Sequence, residues 1–253
     1  MTVTFLGTGT SQGVPLIGCS CEVCTSLDPK DDRLRSSIWI KTAKTSVVID
    51  TGPDFRQQML RAEVKNLDAV VFTHAHKDHT AGLDDIRAYN FIQGRRMPVW
   101  ATDETQIVLK REFSYAFETP AYPGVPEIDL YSFCNAPFEI GDLTLLPVQV
   151  WHARLEVFGF RIGSFAYITD ANRIEPAELN KLRGVKTLVL NALRHTEHIS
   201  HFTLQDAIDI ARELRAEETY FTHISHQLGK HADINPHLPK GMNLAFDGLQ
   251  LNL

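Results

Sequence analysis

A chain of 253 residues, 43% of them hydrophobic, can bury a core of its own, and no stretch approaches the roughly 18–20 apolar residues that cross a bilayer. The formal net charge of −6 argues against a general nucleic-acid binder, which needs a basic face to displace counterions, but not against a small anionic substrate. The opening MTVTFLGTGTSQG lacks the basic region, apolar run and cleavage site of a signal peptide, so a cytoplasmic location without membrane association is expected. Strands are expected at Thr2–Leu6, Ser37–Lys41, Ser46–Ile49, Ala69–Thr73, Val99–Ala101, Leu143–Val150, Phe158–Ile162 paired with Ser164–Ile168, Thr187–Leu190, Thr219–Thr222 and Asn243–Phe246. Their β-branched and aromatic content and their Gly, Asp or Pro flanks carry the assignments. Helices are expected from Pro53 to about Arg61, Ala81 to about Gln93, Glu104 to about Tyr115 and Pro176 to about Lys181. Another begins after Thr203, which can cap the free amides with Asp206 three positions on, and Leu204, Ala207, Ile208, Ala211 and Leu214 define its buried stripe. Mixed strands and helices without a clean βαβ repeat make a layered α/β fold over 1–253, a single domain. The irregular, proline-rich Phe113–Pro137 (Pro120, Pro123, Pro126) reads as an insertion or lid.

Two apolar strands end alike, Ala69-Val-Val-Phe-Thr73-His74 and Thr219-Tyr-Phe-Thr222-His223, as if two halves each deliver a histidine from a strand tip. The first runs into Thr73-His74-Ala75-His76-Lys77-Asp78-His79, which offers four side chains of the types that bind zinc and related first-row ions. One turn can point His74 and His76 one way and Asp78 and His79 another, serving two adjacent ions. Near the amino terminus, Cys19, Cys21 and Cys24 sit too close together for an ordinary disulfide framework and suit a metal clip one ligand short of tetrahedral. His226, in Thr222-His223-Ile224-Ser225-His226, is the candidate fourth ligand of a structural zinc. Cys134 reads as a small apolar residue without a role.

The pattern H-x-H-x-D-H after an apolar strand resembles the metallo-β-lactamase superfamily, and the resemblance covers nearly the whole chain. It implies a four-layer αββα sandwich of two mixed sheets flanked by helices. By the same likeness, Asp50 braces the metal loop, and one ion takes His74, His76, His152 and Asp170. A second takes Asp78, His79, His223 and Asp170. Two divalent ions (zinc or manganese), two carboxylates and a bridging hydroxide leave a net positive charge, suited to an anionic substrate. Metal coordination lowers the pKa of water from 15.7 to about 7, which supplies a nucleophile.

Gly7-Thr-Gly9-Thr-Ser-Gln-Gly13-Val-Pro15, the cysteine clip, THAHKDH, THISHQ and the final Phe246-Asp247-Gly248 together resemble the PhnP-like cyclic phosphodiesterases. That narrower likeness implies hydrolysis of small phosphodiesters, of the cyclic ribose or nucleotide kind, with Asp78 and His201 as catalytic residues. His201 protonates the leaving oxygen, a role suited to imidazole near neutral pH. The partner is then a small anionic phosphodiester, no stable nucleic-acid complex is expected, and a homodimer stays open. Competing readings are RNA processing of the tRNA 3′-endonuclease type, a PqqB-like biosynthetic role, lactone or thioester hydrolysis on the same metals, and a metal-binding scaffold without turnover. His195 and His198 read as loop residues, at least one without a role, His231 and His237 as surface residues, and Arg33 and Arg35 as a solvated charge cluster.

Overall fold

The computed structural model describes residues 1–118 and 123–253. Among them the chain forms two seven-stranded sheets. The first contains β1 (Thr2–Gly7), β2 (Ser37–Lys41), β3 (Ser46–Ile49), β4 (Ala69–Val71), β5 (Met97–Ala101), β6 (Ile128–Ser132) and, at the opposite edge, β14 (Gln250–Asn252). The second contains β7 (Phe138–Ile140), β8 (Leu143–His152), β9 (Leu155–Ile162), β10 (Phe165–Ile168), β11 (Thr187–Asn191), β12 (Glu218–Thr222) and β13 (Met242–Leu244). In each sheet an antiparallel part gives way to three parallel pairings, at β3 in the first and at β10 in the second. The crossovers of the first sheet carry α1 (Phe55–Arg61), α2 (Lys77–Thr80), α3 (Arg87–Gln93) and α4 (Asp103–Glu112). Those of the second carry α5 (Pro176–Lys181), α6 (Leu204–Leu214) and α7 (His231–Ile234).

Alternation along the strands creates three apolar layers. Val47 and Ile49 of β3, Phe158 and Phe160 of β9, and Phe165 and Tyr167 of β10 meet between the sheets. Val48, Val70 and Val99 face the other way, against Phe55 and Met59 of α1, Tyr89 of α3 and Leu109 of α4. Ala166, Ile168, Leu188 and Leu190 pack on Leu204, Ala207, Ile208, Ala211 and Leu214 of α6. Each fully buried aliphatic or aromatic side chain contributes about 1.5–3 kcal/mol, so these layers fix the αββα order. Helix α6 starts as its sequence demands: Thr203 Oγ1 accepts the Asp206 amide at 3.1 Å and Asp206 accepts the Thr203 amide at 3.0 Å.

Several expectations need correction. The segment 113–137 contains β6, an edge strand paired in parallel with β5, so that part is sheet; Pro120 lies outside the described residues. Edge strands β7 and β14 and the short helices α2 and α7 add to the expected elements. Arg33 is buried rather than solvated, donating from one guanidinium nitrogen to Thr8 Oγ1 at 2.9 Å and to the Ala245 carbonyl at 2.6 Å. Burial pushes its pKa down to about 10, against the pull of Asp247 and Asp31. Arg35 pairs with Asp54 at 3.0 Å. His231 is buried with its amide on Asp31, whereas His237 is exposed as expected. Cys134 is exposed, not packed.

Candidate metal centre

The strands that run into the parallel part of each sheet end on one side of the molecule, and their last residues bring the histidines and aspartates together. Ile49 ends β3, and Asp50 follows in the left-handed region at φ 67°, fully buried. Its carboxylate accepts the Thr73 amide and hydroxyl, each at 2.9 Å, and the Nδ1 proton of His79 at 2.7 Å. That fixes the His79 tautomer and turns Nε2 inward, 3.1 Å from Asp170 and 3.2 Å from Asp78. Gly52 makes room for the metal loop, because a Cβ there would stand 2.2 Å from the Asp78 carbonyl oxygen. The Thr51 amide donates to the His79 carbonyl at 2.8 Å and completes the clamp.

Four more imidazoles join, His74 and His76 from the same loop and His152 and His223 from separate segments. Thr73 Oγ1 lies 3.0 Å from His74 Nδ1, leaving His74 Nε2 facing the cluster. His152, the last residue of β8, donates from Nδ1 to the Ser200 carbonyl at 2.8 Å, so its Nε2 lone pair is free. The rings of His74, His76 and His152 form a triangle with centroid separations of 4.6, 5.2 and 5.9 Å. His223, beyond β12 at φ 56°, places Nδ1 3.2 Å from Asp170.

Asp170 stands between two groups. It follows β10 at φ 52°, and its ligand atom lies within 4.8 Å of those of Asp78, His79 and His223, and likewise of those of His152 and His201. His201 Nδ1 is 3.8 Å from the other Asp170 oxygen, and the ring stacks on His223 with centroids 4.7 Å apart. His201 is therefore deeper in the centre than a bystander at a helix start, and belongs to the same group of ligand-type atoms as His152 and Asp170.

The electrostatics fit cations. Burial opposes a charged His79, yet Asp78, Asp170 and Asp50 together raise its pKa well above the ordinary value. Burial pushes His74 well down, His79 adding to the effect, and burial likewise lowers His76 and His223. Burial and the neighbouring His223 take His201 down to about 2. Despite burial, His223 and His79 hold Asp170 ionised, and His79 does the same for Asp78. The neutral imidazoles of His74, His76, His201 and His223 beside ionised carboxylates are a donor set that first-row divalent ions take, and the carboxylates that hold a proton on His79 would favour a cation in its place. Buried nitrogens at His74 Nε2, His79 Nε2, His201 Nδ1 and His223 Nε2 have no hydrogen-bond partner among the described residues, a cost that ion coordination removes.

The cysteine clip assembles as well. Cys19 Sγ and Cys21 Sγ lie 3.5 and 3.3 Å from His226 Nδ1, and one ligand atom from each of Cys19, Cys21, Cys24 and His226 falls within 4.8 Å of the rest. The Cys24 amide, then His226, lower the Cys21 pKa to about 6, while burial raises Cys24 to about 11. Such S···N spacings suit tetrahedral zinc, whose bonds run about 2.0–2.3 Å.

The orienting groups carry no ligand signal in the sequence: Thr73, the Ser200 carbonyl and Asn191, whose side chain bonds both backbone groups of Ala171, next to Asp170. Thr73 had an indirect signal, since it precedes a candidate ligand at a strand tip. A backbone carbonyl has none.

Two back-to-back mixed sheets flanked by helices, with this histidine–aspartate centre at the strand ends, define the metallo-β-lactamase fold with a donor set suited to divalent metal ions. The family model for the β-lactamase superfamily domain matches residues 45–224, and the chain belongs to that superfamily. The crystal structure of a diphosphatase of the PhnP family is similar at 44% identity and a TM-score of 0.93, covering 100% of this chain and 97% of the other. An octanoyltransferase of Porphyromonas gingivalis is 38% identical over 253 residues, 99% of this chain and 51% of that protein. The chain thus spans about half the length of that relative. Zinc-bound PqqB from Methylobacterium extorquens shares the fold at 20% identity and a TM-score of 0.80, each chain covered at 100%. No helix among the described residues is long and apolar enough to cross a membrane.

Proposed function

We propose that the protein hydrolyses a phosphorus–oxygen linkage in a small anionic substrate, a phosphodiester of the cyclic ribose or nucleotide kind or a related diphosphate linkage. The observation that carries this is the position of Asp170 between two ligand groups, one with Asp78, His79 and His223 and one with His152 and His201. One divalent ion would be held by His74, His76, His152 and Asp170, another by Asp78, His79, His223 and Asp170, and a structural zinc by Cys19, Cys21, Cys24 and His226. Two such ions supply an activated water at neutral pH and neutralise charge on the phosphoryl oxygens.

The chain's own residues do the rest. Asp50, Thr73 and the Ser200 carbonyl fix the rings of His79, His74 and His152 before substrate arrives, so no orientation is lost at the moment of reaction. Asp78 and Asp170 keep the centre anionic enough to hold cations. His201, beside Asp170 and rising from the same wall, supplies the proton to the departing oxygen. An anionic phosphoryl group next to it opposes the burial that otherwise keeps the ring neutral.

Support for phosphorus over acyl substrates comes from the PhnP-family diphosphatase, which matches across the full chain, whereas the octanoyltransferase name belongs to a protein about twice as long. The thiolate clip suits a reducing compartment, in keeping with a cytoplasmic enzyme. The test is a panel of bis(p-nitrophenyl) phosphate, a 2′,3′-cyclic nucleotide and a diphosphate diester, assayed with zinc or manganese. Turnover of at least one of them, abolished by a chelator and restored by metal, is expected; inactivity on all three overturns the reading.

A further inference from the structure

His201 also lines a cavity of about 350 Å³ whose walls include Asn172, Glu197, His198 and Asp206. Most of its polar atoms serve the fold. Asn172 donates to the Ile199 carbonyl at 2.9 Å and accepts the Ala153 amide at 3.0 Å, and Asp206 closes the cap of α6. His198 differs. Its Nδ1 lies 3.4 Å from the Ser200 amide and 3.2 Å from the Ser200 hydroxyl. A backbone N–H can only donate, so Nδ1 must be the acceptor, and the neutral ring carries its proton on Nε2. Burial and the nearby Arg194 keep the ring neutral. The His198 ring sits 5.1 Å from that of His201, whose Nδ1 in turn lies 3.8 Å from Asp170.

The cavity wall has the wrong charge for a phosphate. Glu197 and Asp206 contribute carboxylates, and no lysine or arginine among the described residues lines it. A phosphoryl group therefore stays at the metal centre, and what the cavity can accept is a neutral, hydroxyl-bearing group reached across His201. We propose that this cavity is the subsite for the leaving alcohol and that His198 is a specificity-determining residue, donating from Nε2–H to an oxygen of that alcohol. The assignment rests on the phosphohydrolase reading and deepens it. It places the proton donor, His201, at the boundary between phosphoryl group and leaving group, where the breaking bond lies.

A purely structural role for His198 makes a different prediction, because Ser200 also holds His152 through its carbonyl. Two substitutions separate them. Glutamine keeps a donor at the position of Nε2 but loses the partner of Ser200; asparagine keeps an acceptor for Ser200 but loses the donor. Both are assayed in the metal-loaded full chain on a 2′,3′-cyclic nucleotide, whose leaving oxygen stays on a hydroxyl-bearing ribose, and on bis(p-nitrophenyl) phosphate, whose leaving group has no hydroxyl to offer. His198→Asn is expected to raise KM for the cyclic nucleotide about three- to tenfold, the worth of one neutral hydrogen bond, and to leave the nitrophenyl ester within about twofold. His198→Gln is expected to stay within about twofold on both. The reverse order, or equal losses on both substrates, overturns the subsite in favour of a brace for Ser200. A wild-type chain that turns over neither substrate sinks the phosphohydrolase reading itself, and the subsite with it. Long-range ¹⁵N–¹H NMR of the imidazoles gives a readout independent of turnover: the Nε2–H tautomer is expected at His198, and an Nδ1–H tautomer overturns the proposal.

Discussion

Strands β3 and β10 occupy equivalent places in the two halves of the molecule. Each joins the antiparallel part of its sheet to the parallel part, and each hands the chain to an aspartate in the left-handed region, Asp50 at φ 67° and Asp170 at φ 52°. The two carboxylates have opposite surroundings. Asp50 is closed in by Thr73 and His79, and nothing is left for a ligand. Asp170 takes one hydrogen bond from Thr169, at 2.7 Å, and otherwise faces the imidazoles of His79, His223 and His201. The same backbone device thus serves as a brace in one half and as the centre of the site in the other. The cross-links reverse as well. In the first half Asp50 reaches forward to the Thr73 amide beyond β4; in the second, Asn191 at the end of β11 reaches back to both backbone groups of Ala171 beyond β10.

The sharpest test of this contrast removes charge while sparing the backbone, since asparagine tolerates the left-handed region. Asp170→Asn is expected to lower kcat by about 10³-fold or more, several kcal/mol of charge stabilisation, and to reduce bound metal on elemental analysis. His201→Ala, in the same half, is expected to cost about 10²–10⁴-fold in turnover while both active-site ions stay bound. Loss of an ion in that variant would reassign His201 from proton donor to ligand, which its place beside His152 and Asp170 makes a real contest. Asp50→Asn should be milder, about 10–100-fold in metal affinity or activity, because Asp50 reaches the centre only through the groups it orients, His79 and Thr73. If the Asp50 and Asp170 variants fall equally, the division of labour between the halves is wrong.

The candidate ligands were legible because their signal is local. His74, His76, Asp78 and His79 lie within one loop, and His152, Asp170 and His223 each follow a recognisable apolar strand. The internal echo was half right. The two halves exist, but the Thr-His tips it paired belong to β4 and β12, whereas the counterpart of β4 is β11, ending in Asn191. Sequence similarity matched residue types, and only strand order shows which positions correspond. The short edge strands were missed for a related reason: Ile128–Ser132 has one covered face and prolines nearby, so no continuous apolar run announces it. Burial of Arg33 and His231 was illegible altogether, because it depends on contacts such as Arg33 with Ala245 and His231 with Asp31, about 200 positions away. Charge type alone predicts exposure, and tertiary partners override it.

The smallest expected effect compares the halves where neither touches the site. Helices α3 and α6 are counterparts, crossing from β4 to β5 and from β11 to β12, and both end on a left-handed residue, Gly94 at φ 62° and Arg215 at φ 55°. Glycine carries no penalty there; a side chain costs about 1–2 kcal/mol. A Cβ at Gly94 would meet nothing within 4 Å, so the backbone angle alone decides the outcome. Gly94→Ala should destabilise by about 1 kcal/mol, and Arg215→Gly should stabilise by somewhat less, because glycine also loosens the unfolded chain. Denaturant midpoints measured at unchanged m-value would show the opposite signs. Shifts of the same sign would mean that the two caps are not equivalent, and that the likeness of the halves stops at their sheets.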